Sequence, residues 1–219
     1  NLLFRLKKDM AMFKQITTNV DNNKNKNAVL MGYNTFSSIP TRYFPLNNRI
    51  NIIISKKNYI NVKAQIHKHK YTDTYVFSNI NNALTFCMSS NYIETLYVIG
   101  GASIYNYFVN NNLIHEFYIT ELNNPELVIG DTYLECKDII DKNYIRHHLE
   151  SFIELNALNL IDNKKYKVSY SLFKYININI SKPMNIITDE HNYLSKLKYI
   201  LEHGELRKTR NSETLSTFG

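Results

Sequence analysis

Residues 96–105, LYVIGGASIY, decide the fold. An apolar run of strand type meets two adjacent glycines, Gly100 and Gly101, and then a segment with helical spacing. The chain has only six glycines, so two at one junction demand a reason. Glycine costs conformational entropy and is favoured where backbone takes unusual angles or lies against something else. A strand-to-helix junction is also where phosphates bind, because free backbone N–H groups and the helix dipole point outward there. A tight turn would use the same residues, and these ten alone leave both readings open.

The neighbouring segments extend the pattern in both directions. Upstream, Leu6, Met10, Phe13 and Ile16 recur at helical spacing and predict an amphipathic helix over Leu6 to Thr17. AVLMG (residues 28–32) reads as a buried strand, and NTFSSIP as a helix beginning at Asn34 or Thr35. RINIIIS (Arg49 to Ser55) and TYVFS (Thr74 to Ser78) read as strands, and NINNALTFCMSS as a helix. Downstream come a helix from Ala102 and the strand EFYITEL, Glu116 to Leu122. Two β-like stretches, near Tyr144–Leu155 and Lys165–Ile176, have no helix between them and are expected to pair antiparallel. Alternating strands and helices with nearly continuous apolar strands predict an α/β fold, a parallel sheet covered on both faces. Ligands bind such sheets at the carboxyl ends of the strands, where the glycine pair, Gly32 and Ser55 all fall. That moves the functional reading of the glycines ahead of the plain turn.

The 219 residues allow one large domain, or one domain and part of another; 44% hydrophobic and 13% aromatic content is enough for a core. No run approaches the roughly 18–20 apolar residues of a membrane span, and the first residues do not read as a signal peptide. Cys87 and Cys136 lie far apart without metal-ligand spacing, which suggests reduced thiols of a cytoplasmic protein and no metal site. The net charge of +7 attracts anions, either nucleic acid or phosphorylated small molecules. The densest basic stretch, VKAQIHKHK (residues 62–70), has no arginine and one nearby aromatic, Tyr71, so it reads as a solvated loop. His67 and His69 within it lack acidic or cysteine partners. NVDNNKNKN (residues 19–27) reads as compositional bias. Residues 177–188, which contain Pro183, read as a linker before a separate helix in DEHNYLSKLKYILEHG, with Gly204 as its stop. Both ends read as cut: the chain starts at Asn1 and stops at TLSTFG, inside a strand-like segment.

DMAMFKQIT, MGYNTFSSIP, PLNNRINIIIS, LYVIGGASIY and FYITEL…GDTYLE occur in the order and spacing of dihydrofolate reductase, which the chain resembles over nearly all of residues 1–176. YLSKLKYILEHGELRKTRNSETLSTFG resembles the opening of thymidylate synthase. Together they are similar to the bifunctional reductase–synthase of protists, plants and some large DNA viruses. The resemblance implies a reductase domain over 1–176, a linker over 177–188 and a synthase fragment over 189–219. It implies a mostly parallel sheet flanked by helices with an antiparallel C-terminal hairpin. The family's first, central strand is missing here. It also implies NADPH-dependent reduction of dihydrofolate to tetrahydrofolate. A full-length homodimer would form through the synthase, the fragment being monomeric, and no membrane or nucleic-acid partner is expected.

Asp9 is the only carboxylate inside the first helix, on the same face as Phe13. An acid beside apolar residues in a pocket would hydrogen-bond a pterin and favour its protonation. Without the resemblance it reads as a surface acid. By resemblance Asp9 is the catalytic acid and Thr120 assists it. Met10 and Phe13 would line one side of the substrate, Ile39 and Leu46 the other, and the Ile99 carbonyl would meet the pterin. Arg49 opens a strand after a turn, where its guanidinium can fork onto a carboxylate; the family uses that position for the glutamate tail. Gly100 and Gly101, joined in the family by a cis peptide bond, would border the cofactor, with Ala102 and Ser103 starting the helix that faces the pyrophosphate. Gly32 and Thr35 would do similar work, Tyr105 would border the nicotinamide, and Ser55, Lys56 and Ser78 complete the cofactor set.

The chain also departs from the family. Leu2, Leu3 and Phe4 stand for its Leu-Pro-Trp, and the chain has no tryptophan to supply an indole N–H. Tyr33 and Asn79 stand where cations usually select the cofactor's 2′-phosphate, leaving Lys56, with Lys57 as a substitute. Arg210 resembles the arginine that binds the dUMP phosphate, but the synthase's nucleophilic cysteine is absent. Two alternatives remain. One is a related pyrimidine reductase of flavin synthesis, against which Arg49 and the synthase segment argue. The other is a basic nucleic-acid-binding module using Lys63–Lys70.

Overall fold

The computed structural model describes residues 3–124 and 135–179, with the backbones of two short strands at 205–208 and 213–216. The chain enters through a two-residue strand, β1 (Phe4–Arg5), and helix α1 (Lys7–Thr18). It then alternates: β2 (Lys26–Gly32), α2 (Tyr33–Ser38), a 3-10 turn (Thr41–Tyr43), β3 (Arg49–Ile54), α3 (Tyr59–His69), β4 (Thr74–Phe77), α4 (Ile80–Ser89), β5 (Ile93–Val98), α5 (Ala102–Asn110) and β6 (Glu116–Leu122). After α6 (Lys137–Asn143) come the long strands β7 (Tyr144–Asn159) and β8 (Lys165–Asn177). Strands β9 (Glu205–Lys208) and β10 (Glu213–Ser216) form a hairpin of their own.

The parallel sheet has the order β4-β3-β2-β5. Its core strand, β2, buries Ala28, Val29, Leu30 and Met31 completely, and alternation sends them to opposite faces. Ala28 and Leu30 join Ile50, Ile52, Ala83, Cys87 and Phe108 on the α4–α5 side. Val29 and Met31 join Ile53, Phe36, Phe44 and Val62 on the α2–α3 side. Burying each of Val29, Leu30 and Met31 contributes about 1.5–3 kcal/mol, which explains why a run with no polar alternation is stable here.

The second sheet is antiparallel, with the order β1-β7-β8-β6. The expected pairing of the two C-terminal stretches is found, with β8 running one residue past the expected domain end. Asn177 is buried and donates to the Asn112 side chain and the Ile114 carbonyl.

The expected parallel sheet flanked by helices and the antiparallel C-terminal strands are both found, as two four-stranded sheets: β5 and β6 each have one strand partner, and no strand among the described residues lies between them. Tyr97 of β5 has its phenol pushed up by burial first, with Tyr118 and Glu116 of β6 adding to it. One expectation is corrected. The stretch 62–70 is not a loop but most of α3: Val62 is buried and Ile66 packs on the same core four residues later. The lysines and histidines between them hide this apolar face from a charge-based reading. Most of the proposed linker, the helix predicted after Asp189, and Arg210 lie outside the described residues.

Candidate active site

The carboxyl ends of the parallel strands form one aligned row. Gly32 pairs with Ile54 and Ile54 with Phe77, so Gly32, Ser55 and Ser78 follow one another along the edge. The Gly32 N–H donates to the Gly100 carbonyl at 2.7 Å, which brings the glycine pair alongside. The Gly100–Gly101 bond is cis, as the family resemblance implies. A Cβ on Gly100, whose φ is +113°, would stand 3.3 Å from both Thr35 Oγ1 and Tyr105 Oη. One on Gly32 would stand 3.3 Å from Ile104 Cγ1. The backbone angle at Gly100 therefore calls for glycine where β2, β5, α2 and α5 converge, and a side chain at Gly32 would press on Ile104. α5 starts at Ala102 with no side-chain cap, so the first-turn N–H groups of Ala102 and Ser103 are unclaimed by any side chain. Burial raises the Tyr105 phenol, keeping it neutral. Ser55 is buried and its hydroxyl accepts from the Asn58 N–H at 3.1 Å, whereas Lys56, Ser78 and Ser103 are exposed along the rim.

The second group of residues gathers around α1. Thr120 on β6 donates to Asp9 Oδ1 at 2.5 Å across 111 residues of chain, so the expected acid and its helper do meet. Met10 is exposed and Phe13 half-buried on the same helix. Arg49 is buried at the start of β3. It donates to Thr17 Oγ1 at 2.7 Å and to the Asn47 carbonyl at 3.1 Å, and its guanidinium lies 5.7 Å from the Phe13 ring centroid. Burial lowers its pKa, and among the described residues no carboxylate pairs with it. Ile39 and Leu46 pack on the α2–α3 core. Asn51 holds the Leu46 backbone from both sides, accepting from its N–H at 2.9 Å and donating to its carbonyl at 3.2 Å. Ile99 donates its N–H to the Leu30 carbonyl.

The family profile of dihydrofolate reductase matches residues 1–159 of this chain. The chain belongs to the dihydrofolate reductase family. The dihydrofolate reductase of Candida albicans is 35% identical over 136 residues, covering 60% of this chain and 65% of that protein. Bifunctional dihydrofolate reductase-thymidylate synthase 2 of Arabidopsis thaliana is 25% identical, covering 100% of this chain and 40% of its own length. The chain thus spans less than two thirds of either relative. Schistosoma mansoni dihydrofolate reductase superposes with a TM-score of 0.61 at 24% identity, over 79% of this chain and 86% of that one, a likeness of fold.

Within this reductase fold, two residues near Asp9 escaped the sequence reading. Glu154 on β7 accepts from the Lys7 N–H with both oxygens, at 3.1 and 3.0 Å, and so caps α1 where Leu6 has no side chain to do it. Tyr170 on β8 donates to Glu154 at 3.3 Å, and its phenol is pushed up to about 12, first by burial and then by Glu154 and Asp9. No local pattern links positions 7, 154 and 170: the β7–β8 ladder, with Phe152 opposite Tyr170 and Glu154 opposite Val168, brings the last two together, and α1 brings Lys7 to them. Phe4 is buried with Ala157, Val168 and Tyr170, its ring edge-on to Tyr166, so it serves the core of the antiparallel sheet. Leu2 and Arg210 lie outside the described residues. No group of three or more His, Cys, Asp or Glu suited to a metal occurs among the described residues, and no helix there is long and apolar enough to cross a membrane.

Proposed function

We propose that the chain carries out NADPH-dependent reduction of 7,8-dihydrofolate to 5,6,7,8-tetrahydrofolate. The observation that carries this reading is Arg49: a buried guanidinium with no carboxylate partner among the described residues, reaching the same helix that presents Asp9. A buried cation is costly unless an anion meets it, and the tail carboxylate of a folate is an anion of the right kind. The alternative pyrimidine substrate offers no such carboxylate.

The residues at the parallel edge suit a dinucleotide. Backbone at Gly32, Gly100 and Gly101 leaves space that a Cβ would fill, and the α5 N-terminus faces it. Gly32, Thr35, Ser55, Lys56, Ser78, Gly100, Gly101, Ala102 and Ser103 would hold the cofactor, with Tyr105 beside its nicotinamide. NADPH, when bound, supplies the hydride. Thr120 occupies Asp9 Oδ1, leaving Oδ2 to accept from the pterin ring N–H and exocyclic amine. That contact favours the protonated ring, the better hydride acceptor. Met10, Phe13, Ile39 and Leu46 exclude water around the rings, and the Ile99 carbonyl orients the pterin.

Residues 1–176 form the reductase domain in this reading, 177–188 a linker, and 189–219 the beginning of a thymidylate synthase in which Arg210 would meet the dUMP phosphate. The alignment of the whole chain with the longer Arabidopsis relative supports that division. A full-length reductase–synthase would dimerise through the synthase, and residues 1–219 alone would be a cytoplasmic monomer. Dihydrofolate-dependent loss of NADPH absorbance tests the activity. We expect Asp9→Asn to lower turnover about 100-fold or more, the scale of a positioned acid. Equal rates in the two proteins would refute the role of Asp9.

A further inference from the structure

We propose that Arg5 and Tyr43 form an openable clasp across the outer end of the substrate cleft, an inference that rests on the folate reading of that cleft. Two side-chain tethers join the α1 region to the segment after α2. The inner one, Arg49 to Thr17 near the end of α1, is buried. The outer one is exposed: Arg5, two residues ahead of α1, donates from Nη2 to Tyr43 Oη at 3.2 Å. Tyr43 lies in the turn between Ile39 and Leu46, the two residues of the far wall, while α1 presents Met10 and Phe13 opposite them.

Both backbones that carry the clasp are fixed. Phe4 and Leu6, on either side of Arg5, are 5% and 6% exposed in the antiparallel core, and Phe44, beside Tyr43, is 7% exposed in the parallel one. The two side chains themselves are exposed, Tyr43 to 48%. Arg42 lies over the Tyr43 ring at 4.8 Å and steadies it, and among the described residues neither Arg5 nor Arg42 pairs with a carboxylate. The clasp is therefore one solvent-reachable hydrogen bond between anchored stems, opened by side-chain rotation alone. A flat ring system whose anionic tail is held by Arg49 passes it on entering and leaving. Its effect belongs in the dissociation rate.

The test is stopped-flow displacement of dihydrofolate from the wild-type chain, Tyr43→Phe, Arg5→Met and the double variant, with thermal midpoints measured alongside. Tyr43→Phe keeps the ring beneath Arg42 and removes only the acceptor. Dissociation should quicken about three- to tenfold, the scale of one exposed hydrogen bond, equally in both single variants and the double, with midpoints unmoved. Unchanged rates, effects that multiply in the double variant, or faster release that comes only with a lowered midpoint would each overturn the clasp. A wild-type chain that binds no dihydrofolate overturns it together with the reading of the cleft, whereas binding with unaltered release overturns the clasp alone.

Discussion

Arg49 carries the sharpest tension at the scale of single residues. Its guanidinium is buried, its pKa is lowered by that burial, and its neighbours are a hydroxyl, a carbonyl and a ring. Such an arrangement spends stability to hold a positive charge ready for an anion. Replacing Arg49 with Met should raise the KM for dihydrofolate about 10- to 100-fold, the worth of a charge-assisted pair, while kcat moves much less. A KM within twofold of wild type in steady-state assays would remove the tail carboxylate from this site. The residue's place was legible because PLNNRIN puts an arginine just after a turn and just inside a strand. Its burial was not legible, because Thr17 and Phe13, which enclose it, come from a helix more than thirty positions away. Asp9 shows the same division. Its place on α1 could be read locally, whereas Thr120 meets it only because β6 and α1 come together in three dimensions.

Helix α1 illustrates how an element borrows what its own sequence lacks. Leu6 offers no cap, so Glu154 supplies one from β7, and Tyr170 in turn donates to Glu154. Glu154→Ala should cost about 0.5–2 kcal/mol, the usual value of a lost N-cap, readable as a shift of the urea midpoint. No shift would mean that water caps α1 equally well. Elements whose own residues satisfy their needs were legible in advance: β2 carries the apolar run Ala28–Met31, β3 is built on isoleucines, β6 centres on Phe117–Thr120, and α4 begins at an Asn79 that accepts from the Asn82 N–H. α3 was hidden because only Val62 and Ile66 mark its inner face among lysines and histidines. The short 3-10 turn, α6 and the two-residue β1 carry too few residues to show a period at all.

The whole molecule should be more sensitive to alkali than to moderate acid. Burial pushes the Cys87 thiol from 9.0 up to about 12, and Tyr97 and Tyr170 from 10.0 up to about 12. Between the unfolded and folded values the unfolded chain has already lost these protons while the folded one keeps them. Stability is therefore complete below about pH 9 and falls as pH rises, by about 1.4 kcal/mol per unit for each group titrating. Urea midpoints between pH 8 and 11 should decline, and Cys87→Ala should flatten the first part of that decline. A midpoint constant to pH 11 would contradict the burial of all three.

The division between β5 and β6 was not legible from any strand by itself, since each reads as an ordinary member of a continuous sheet. It has a dynamic consequence. Among the described residues no backbone ladder crosses from one sheet to the other, so a folate touching Asp9 on one side and Ile99 on the other would brace the two walls of the cleft. Amides along β5 and β6 should then exchange with deuterium readily in the free chain and slow together when dihydrofolate is added. Protection gained on one edge only would mean that the two move independently.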